Sequence, residues 1–178
     1  TLQVGTISRA VVAKQLAERE APQIIVLPFT STDEENVEFK VKDIEFLRKR
    51  LVGLRSISAM IWIASPNTNF RELEINPHWI AVSQEFLETS GRSLVAGSFF
   101  SQDDVKNYRP VVVIDEAVVE ALFPDRNPVG QRIYVEQRPY FVRGVMETKL
   151  RGSWDQQNGE MIMPLSVYTN TTGNRNIY

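Results

Sequence analysis

The side chains that could carry chemistry are few. Cysteine is absent, and the single histidine, His78, lies between Pro77 and Trp79. Lack of cysteine excludes disulfides, thiolate metal sites and cysteine nucleophiles. One histidine excludes a histidine-rich metal site, and a Ser-His-Asp triad would have to run through His78. The turn around it indicates neither a Ser/Asp constellation nor a second metal ligand. Asp103 and Asp104 could pair as carboxylates or hold a cation. They follow Ser101 at a helix start, however, where solvated carboxylates complement the positive end of the helix. Asp33, Glu34 and Glu35 fall in the polar stretch Thr30–Asn36, which has no periodicity. That stretch is expected as a solvated loop, or as a salt-bridge contact to a partner. Arg48, Lys49 and Arg50 read as the wet face of a helix, or as a contact to anionic headgroups. Trp62 and Trp79 read as packing residues. Trp154 reads as a packing residue too, or, because it lies in a polar loop, as an exposed aromatic that would suit a contact anchor. No glycine-rich loop ending in Gly-Lys-Ser/Thr is present, so the chain is not expected to bind ATP, and no cofactor is expected.

Composition bounds the remaining choices. The chain has 178 residues, 43% hydrophobic and 24% charged, with 20 basic and 22 acidic side chains. These are ordinary globular values and rule out a disordered, collagenous or coiled-coil chain. A net charge of −2 speaks against nucleic acid, whose binding needs a basic excess to displace counterions. No run reaches the roughly 18 apolar residues of a membrane span. Thr1 is no initiator residue, and the chain reads as a piece of something longer.

The elements that must position these residues follow from periodicity. Gly5–Glu20 is expected as a helix ended by Pro22, and Gln23–Leu27 as a short buried strand closed by Pro28. Lys42–Val52 reads as a second helix, with Ile44, Leu47 and Leu51 on one face. Ser56–Ala64 alternates as a strand. Strand, helix and strand form a βαβ-like unit, parallel if its strands share a sheet. A boundary is placed at Ser65–Asn69. Beyond it, strands are expected over Phe70–Ile75, Trp79–Val82, Leu94–Gly97, Pro110–Ile114, Arg132–Val135, Tyr140–Met146 and Glu160–Pro164. Short helices are expected over Gln84–Thr89 after Ser83, at Asp103 and Asp104 after Ser101, and over Glu116–Phe123 after Asp115. Thr148–Gly159 reads as a polar loop and Thr169–Asn176 as a polar tail. Pro128 and Gly130 make a rigid link into the Arg132 strand, with Gly130 free to take positive φ.

From Val82 to Val145 the order of these pieces resembles a known family. The carrying segments are Val82–Gly91, Leu94–Phe100, Pro110–Ala117, Leu122 and Phe123, Asn127–Ile133 and Phe141–Val145. Glu160–Leu165 and Ile44–Ser58 add to it. The most specific piece is Asn127, Pro128, Val129, Gly130 and Gln131. Together they resemble the periplasmic core domain of MacB-type, FtsX-like ABC transporter permeases.

The resemblance implies an α+β fold: a porter-like βαβ subdomain over 1–65 and an inserted small mixed α/β subdomain, Sabre-like, over 66–164. Residues 165–178 would return toward the porter part, whose second half would begin near Asn176–Tyr178, where the sequence stops. A half sheet would leave an unpaired edge. The implied setting is the periplasmic side of a bacterial inner membrane, between flanking membrane helices, with the Gly5–Glu20 helix as a lever continuing the first of them. Implied partners are an ABC ATPase domain or subunit, a second copy or paired permease, a periplasmic adaptor and an outer-membrane duct. Such a domain is not an enzyme; it relays motion driven by ATP hydrolysis elsewhere. Trp154, Asp33, Glu34 and Glu35 are the candidate partner contacts. Two other readings stay open. One is a substrate- or partner-binding module, which requires an apolar pocket or patch. The other is a hydrolase centred on His78.

Overall fold

The computed structural model describes residues 24–26, 39–148, 159–174 and 176–177. The helix expected over Gly5–Glu20, the Asp33–Glu35 stretch and the Trp154 loop lie outside them. Of the strand expected over Gln23–Leu27, residues 24–26 are described. They carry no regular secondary structure, and Ile24 is 92% exposed, so that segment is not a buried strand here.

Strands β2 (Met60–Ile63), β3 (Thr68–Phe70), β4 (Leu73–Ile75), β5 (His78–Val82), β6 (Leu94–Gly97), β7 (Val111–Asp115), β8 (Arg132–Val135), β9 (Arg138–Met146) and β10 (Glu160–Pro164) form one mixed sheet. Its order is β2-β5-β10-β7-β9-β8-β3-β4, and β6 also pairs with β9. Strand β10 is parallel to β5 and antiparallel to β7, and β7 is parallel to β9. A separate ribbon pairs β1 (Phe39–Lys40) with β11 (Asn176–Ile177), antiparallel. The turn at Ser65 therefore falls between two strands of one sheet. Strand β2 pairs antiparallel with β5.

Strands β5, β7 and β10 are short continuous apolar runs because the sheet is covered on both faces. Alternate residues feed two cores. Trp79, Ala81, Val112, Ile114, Met161 and Met163 point into one, shared with helices α4 (Glu116–Leu122) and α5 (Leu165–Thr172). Ile80, Val82, Val111, Val113 and Ile162 point into the other, with Phe99 and Phe100. That second core is closed by Phe86 of α2 (Phe86–Ser90) and Val105 of α3 (Gln102–Lys106). Helix α1 (Val41–Arg50) places Val41 and Ile44 against the first core.

Local signals account for most boundaries. Asp115 caps α4 by accepting from Val118 N at 3.0 Å, and Ser101 caps α3 by accepting from Asp104 N at 3.2 Å. Helix α2 ends at Gly91, in the left-handed region. Asn127 Oδ1 accepts from Val129 N at 3.0 Å, and Gly130, at φ 83°, donates to Val142 O at 2.8 Å. The link into β8 is thus fixed by its own side chain and by β9.

Two expectations change. Phe70–Ile75 is not one strand: Phe70 ends β3, the chain turns at Arg71 with φ 56°, and Leu73–Ile75 returns as β4. The Thr169–Asn176 tail is instead occupied by the end of α5 and the start of β11. Leu165 and Val167 anchor α5 on the first core.

Strand β6 approaches β9 closely at two glycines. A Cβ on Gly97 would lie 2.5 Å from Arg143 O, and one on Gly144 would lie 2.6 Å from Ser98 O. No side chain fits either place without moving backbone. The substitution Gly144→Ala should therefore cost roughly 2 kcal/mol or more, as overpacking does, read as a lowered urea midpoint. An unchanged midpoint would show that the two strands can separate freely.

Candidate functional site

Among the described residues, the buried charged side chains Asp104, Arg92 and Asp115 form two clusters. The first centres on Asp104, in the first turn of α3. Its side chain is only 1% exposed. Oδ2 accepts from Ser101 N and Ser101 Oγ, both at 2.8 Å, and lies 3.0 Å from Arg143 Nη2 of β9. Oδ1 accepts from Arg109 Nη1 at 3.4 Å. The expectation of a solvated carboxylate at this helix start is corrected for Asp104. Capping brings the aspartate inward, and two guanidinium groups meet it there. Burial pushes its carboxyl up, but the Ser101 hydrogen bonds and Arg143, with help from Arg109, bring it below the ordinary 3.8. Beside this cluster opens a cleft of about 340 Å³, lined by Arg109, Val111, Gly130, Phe141 and Arg143 among others.

The second cluster lies where β7 meets β10. Arg92, with 4% of its side chain exposed, pairs with Glu160 and donates from Nη2 to Glu147 O at 2.8 Å. One buried arginine thus ties the end of α2 to β10 and to the residue after β9. Asp115 is nearby and almost fully buried. Burial pushes its carboxyl above 3.8, against the hydrogen bonds from the Val118 and Glu160 backbones and the charge of Arg92. Its charge is less well compensated than that of Asp104.

Of the candidate partner contacts, Trp154, Asp33, Glu34 and Glu35 lie outside the described residues. His78 begins β5, half-buried, and its backbone N donates to Gly159 O at 2.9 Å. Trp79 packs as expected, 2% exposed, with Nε1 donating to Thr68 Oγ1 at 3.2 Å. Trp62 is 45% exposed. Arg48 pairs with Glu85 at 3.1 Å, and the Arg50 guanidinium lies 4.8 Å from the Phe46 ring centre. Among the described residues, no group of three or more His, Cys, Asp or Glu is placed to hold a metal ion. Among the same residues, no helix is long and apolar enough to cross a membrane.

With this geometry in hand, the comparisons with known proteins are specific. The MacB-like periplasmic core domain family matches the sequence over residues 1–178. The chain belongs to that family. The macrolide export ATP-binding/permease protein MacB of Neisseria gonorrhoeae is 29% identical over 136 residues, 73% of this chain and 20% of that protein. Its counterpart in Chromobacterium violaceum is 35% identical over 98 residues, 55% of this chain and 15% of that protein. The chain thus spans about a fifth or less of the curated relatives it matches. Among solved structures, the periplasmic region of MacB from Actinobacillus actinomycetemcomitans superposes with a TM-score of 0.67 at 20% identity, covering 79% of this chain and 62% of that one. The extracellular domain of the ABC-type transporter YknZ gives 0.66 at 18% identity, covering 79% and 70%. Both share the mixed α/β fold. The sequence signal for a MacB-like domain was carried by the Val82–Val145 strands and the Asn127–Gln131 link. The Asp104–Arg143 pair had no such signal, because its partners are 39 residues apart.

The two aspartates should respond oppositely to neutralisation. Asp104 is depressed, so its stabilisation is present above pH 3.8 and is lost as pH falls through its folded value. Asp115 is raised, so its ionisation opposes folding once pH rises through the raised value. Asp104→Asn should lose roughly 1–2 kcal/mol at neutral pH, allowing for the half-exposed arginines. Asp115→Asn keeps a helix cap and should raise the thermal midpoint at pH 7, with the gain shrinking toward about pH 4. Shifts of the same sign at pH 7 would contradict this assignment.

Proposed function

We propose that this chain is the extracytoplasmic domain of a MacB-type ABC transporter permease in a bacterial inner membrane. It passes motion generated by ATP hydrolysis in another domain or subunit to the export of a substrate. The observation that carries the reading is the family match along the whole length of the chain. A closely packed sheet with cores on both faces suits a relay, since protein interiors compress little and pass displacement on. In this reading residues 1–65 form the porter-like part and 66–164 the Sabre-like insertion, with β2 shared through the sheet. Membrane helices flank the domain, and a second copy or paired permease stands opposite. A periplasmic adaptor and an outer-membrane duct complete the export path. Trp154, Asp33, Glu34 and Glu35 are proposed as contacts to such partners.

These 178 residues contribute no cysteine, so a single label can be placed in them once any cysteine elsewhere in the transporter is replaced. A spin label at Glu120→Cys, on the exposed side of α4, reports the distance between two copies in the full-length transporter. Adding ATP should shift that distance by several ångströms, as rigid-body transitions do. An identical distance distribution with and without nucleotide would sink the relay. Trp154→Ala should weaken adaptor binding by about tenfold if the residue is a contact anchor; unchanged affinity removes it from the interface.

A further inference from the structure

The face of the sheet that carries Ile80, Val111 and Ile162 is covered over β5, β10 and β7, but not further along. Register continues it from Val111 to Phe141 on β9 and from Phe141 to Arg132 on β8. There the covering helices stop. Phe141 is 42% and Tyr134 38% exposed, and Arg132 lies with its guanidinium 5.2 Å from the Phe141 ring centre. Phe141 also lines the cleft beside Asp104, together with Arg109 and Arg143. Phe141 is thus shared by Arg132 and by the cleft that Arg109 and Arg143 line, on a chain whose net charge is −2. Asp104 answers two of them with a single buried charge, and Arg143 Nε is buried with no hydrogen-bond partner. The one acidic side chain that register places further along this face, Glu74 of β4, is at the outer edge and is engaged by Asn67.

We propose that this open face is a docking surface for an acidic segment of a protein partner. Arginine and aromatic side chains are the types that dominate protein contacts, and an arginine fork matches carboxylate geometry. Asp104 serves as the anchor that aims Arg109 and Arg143 before the partner arrives, which lowers the ordering cost of association. Carboxylates of the partner meet the three guanidinium groups, and an apolar side chain covers Phe141. The inference rests on the transporter reading only for the setting in which a partner is met. Its test needs no transport, so the two can fail separately.

The test uses the full 178-residue chain and a fluorescent short peptide of alternating glutamate and leucine. Its glutamine counterpart and phosphatidylglycerol vesicles serve as comparisons. Anisotropy should show the acidic peptide binding about tenfold tighter than the glutamine one, with loss at raised salt. Arg132→Glu and Phe141→Ser alter exposed side chains and leave the Asp104 cluster intact. Each should weaken binding by about tenfold, Arg132→Glu with an unchanged unfolding midpoint and Phe141→Ser with a lowered one, whereas Arg55→Glu, on a different segment, should not weaken it. No binding, equal binding of the two peptides, or full affinity in Arg132→Glu overturns the proposal. So does binding to the vesicles in preference to the peptide, which would assign the face to a lipid surface.

Discussion

Strands buried on both sides tolerate no slip. In β5, β7 and β10 odd and even residues feed different cores, so moving any of them by one residue would exchange the two sets of side chains. Trp79 would be driven into the space of Ile80, and its Nε1 would lose Thr68. The close approach of Gly97 and Gly144 fixes β6 against β9 where a side chain on either glycine would strike backbone. The mixed directions of the sheet then follow from helices packed on either side: α4 carries the chain away from β7, and α2 and α3 close the face opposite.

The ionic clusters sit where this register is completed. Arg143 occupies the irregular step of β9, between the pairs formed by Val142 and Gly144, and reaches Asp104 from there. Arg92 closes the opposite border by holding Glu160 and the Glu147 carbonyl together. Each arginine joins segments far apart in sequence, so neither bond can form until the sheet has. Their contribution is therefore to positional definition more than to net stability, in keeping with the high desolvation cost of buried charge. The same cost falls differently on the two aspartates: Asp104 is met by two cations, while Asp115 leans mainly on backbone donors.

Much of this was legible in the sequence where the signal is local. The apolar run Val111–Ile114, the Asp115 and Ser101 caps, the Gly91 stop and the Asn127–Gln131 link all rest on residues within a few positions of one another. The hairpin at Arg71 was hidden because its turn uses neither Gly nor Asn, the residues that usually advertise positive φ. Helix α5 was hidden because Thr and Asn are poor helix formers and only Leu165 and Val167 of it are buried, with Tyr168 packed beside them. Ile24–Val26 show the reverse failure: a β-branched run reads as buried, yet burial depends on what packs against it. The Asp104 cluster needed Arg143 from another strand, and no spacing rule announces such a meeting. The identity of the family was visible because a chain of local signals in fixed order is more specific than any one of them.

One small feature shapes how the body can be handled. Phe39 stands opposite Ile177, so the polypeptide enters and leaves side by side through a ribbon of two residue pairs. Ile177 is buried in the first core and Phe39 packs against it, so a load applied at that doorway reaches the packing of the large sheet directly. The two ends of the described body are thereby tied to each other and to the core at once, so a displacement at either end is felt by the same packed side chains.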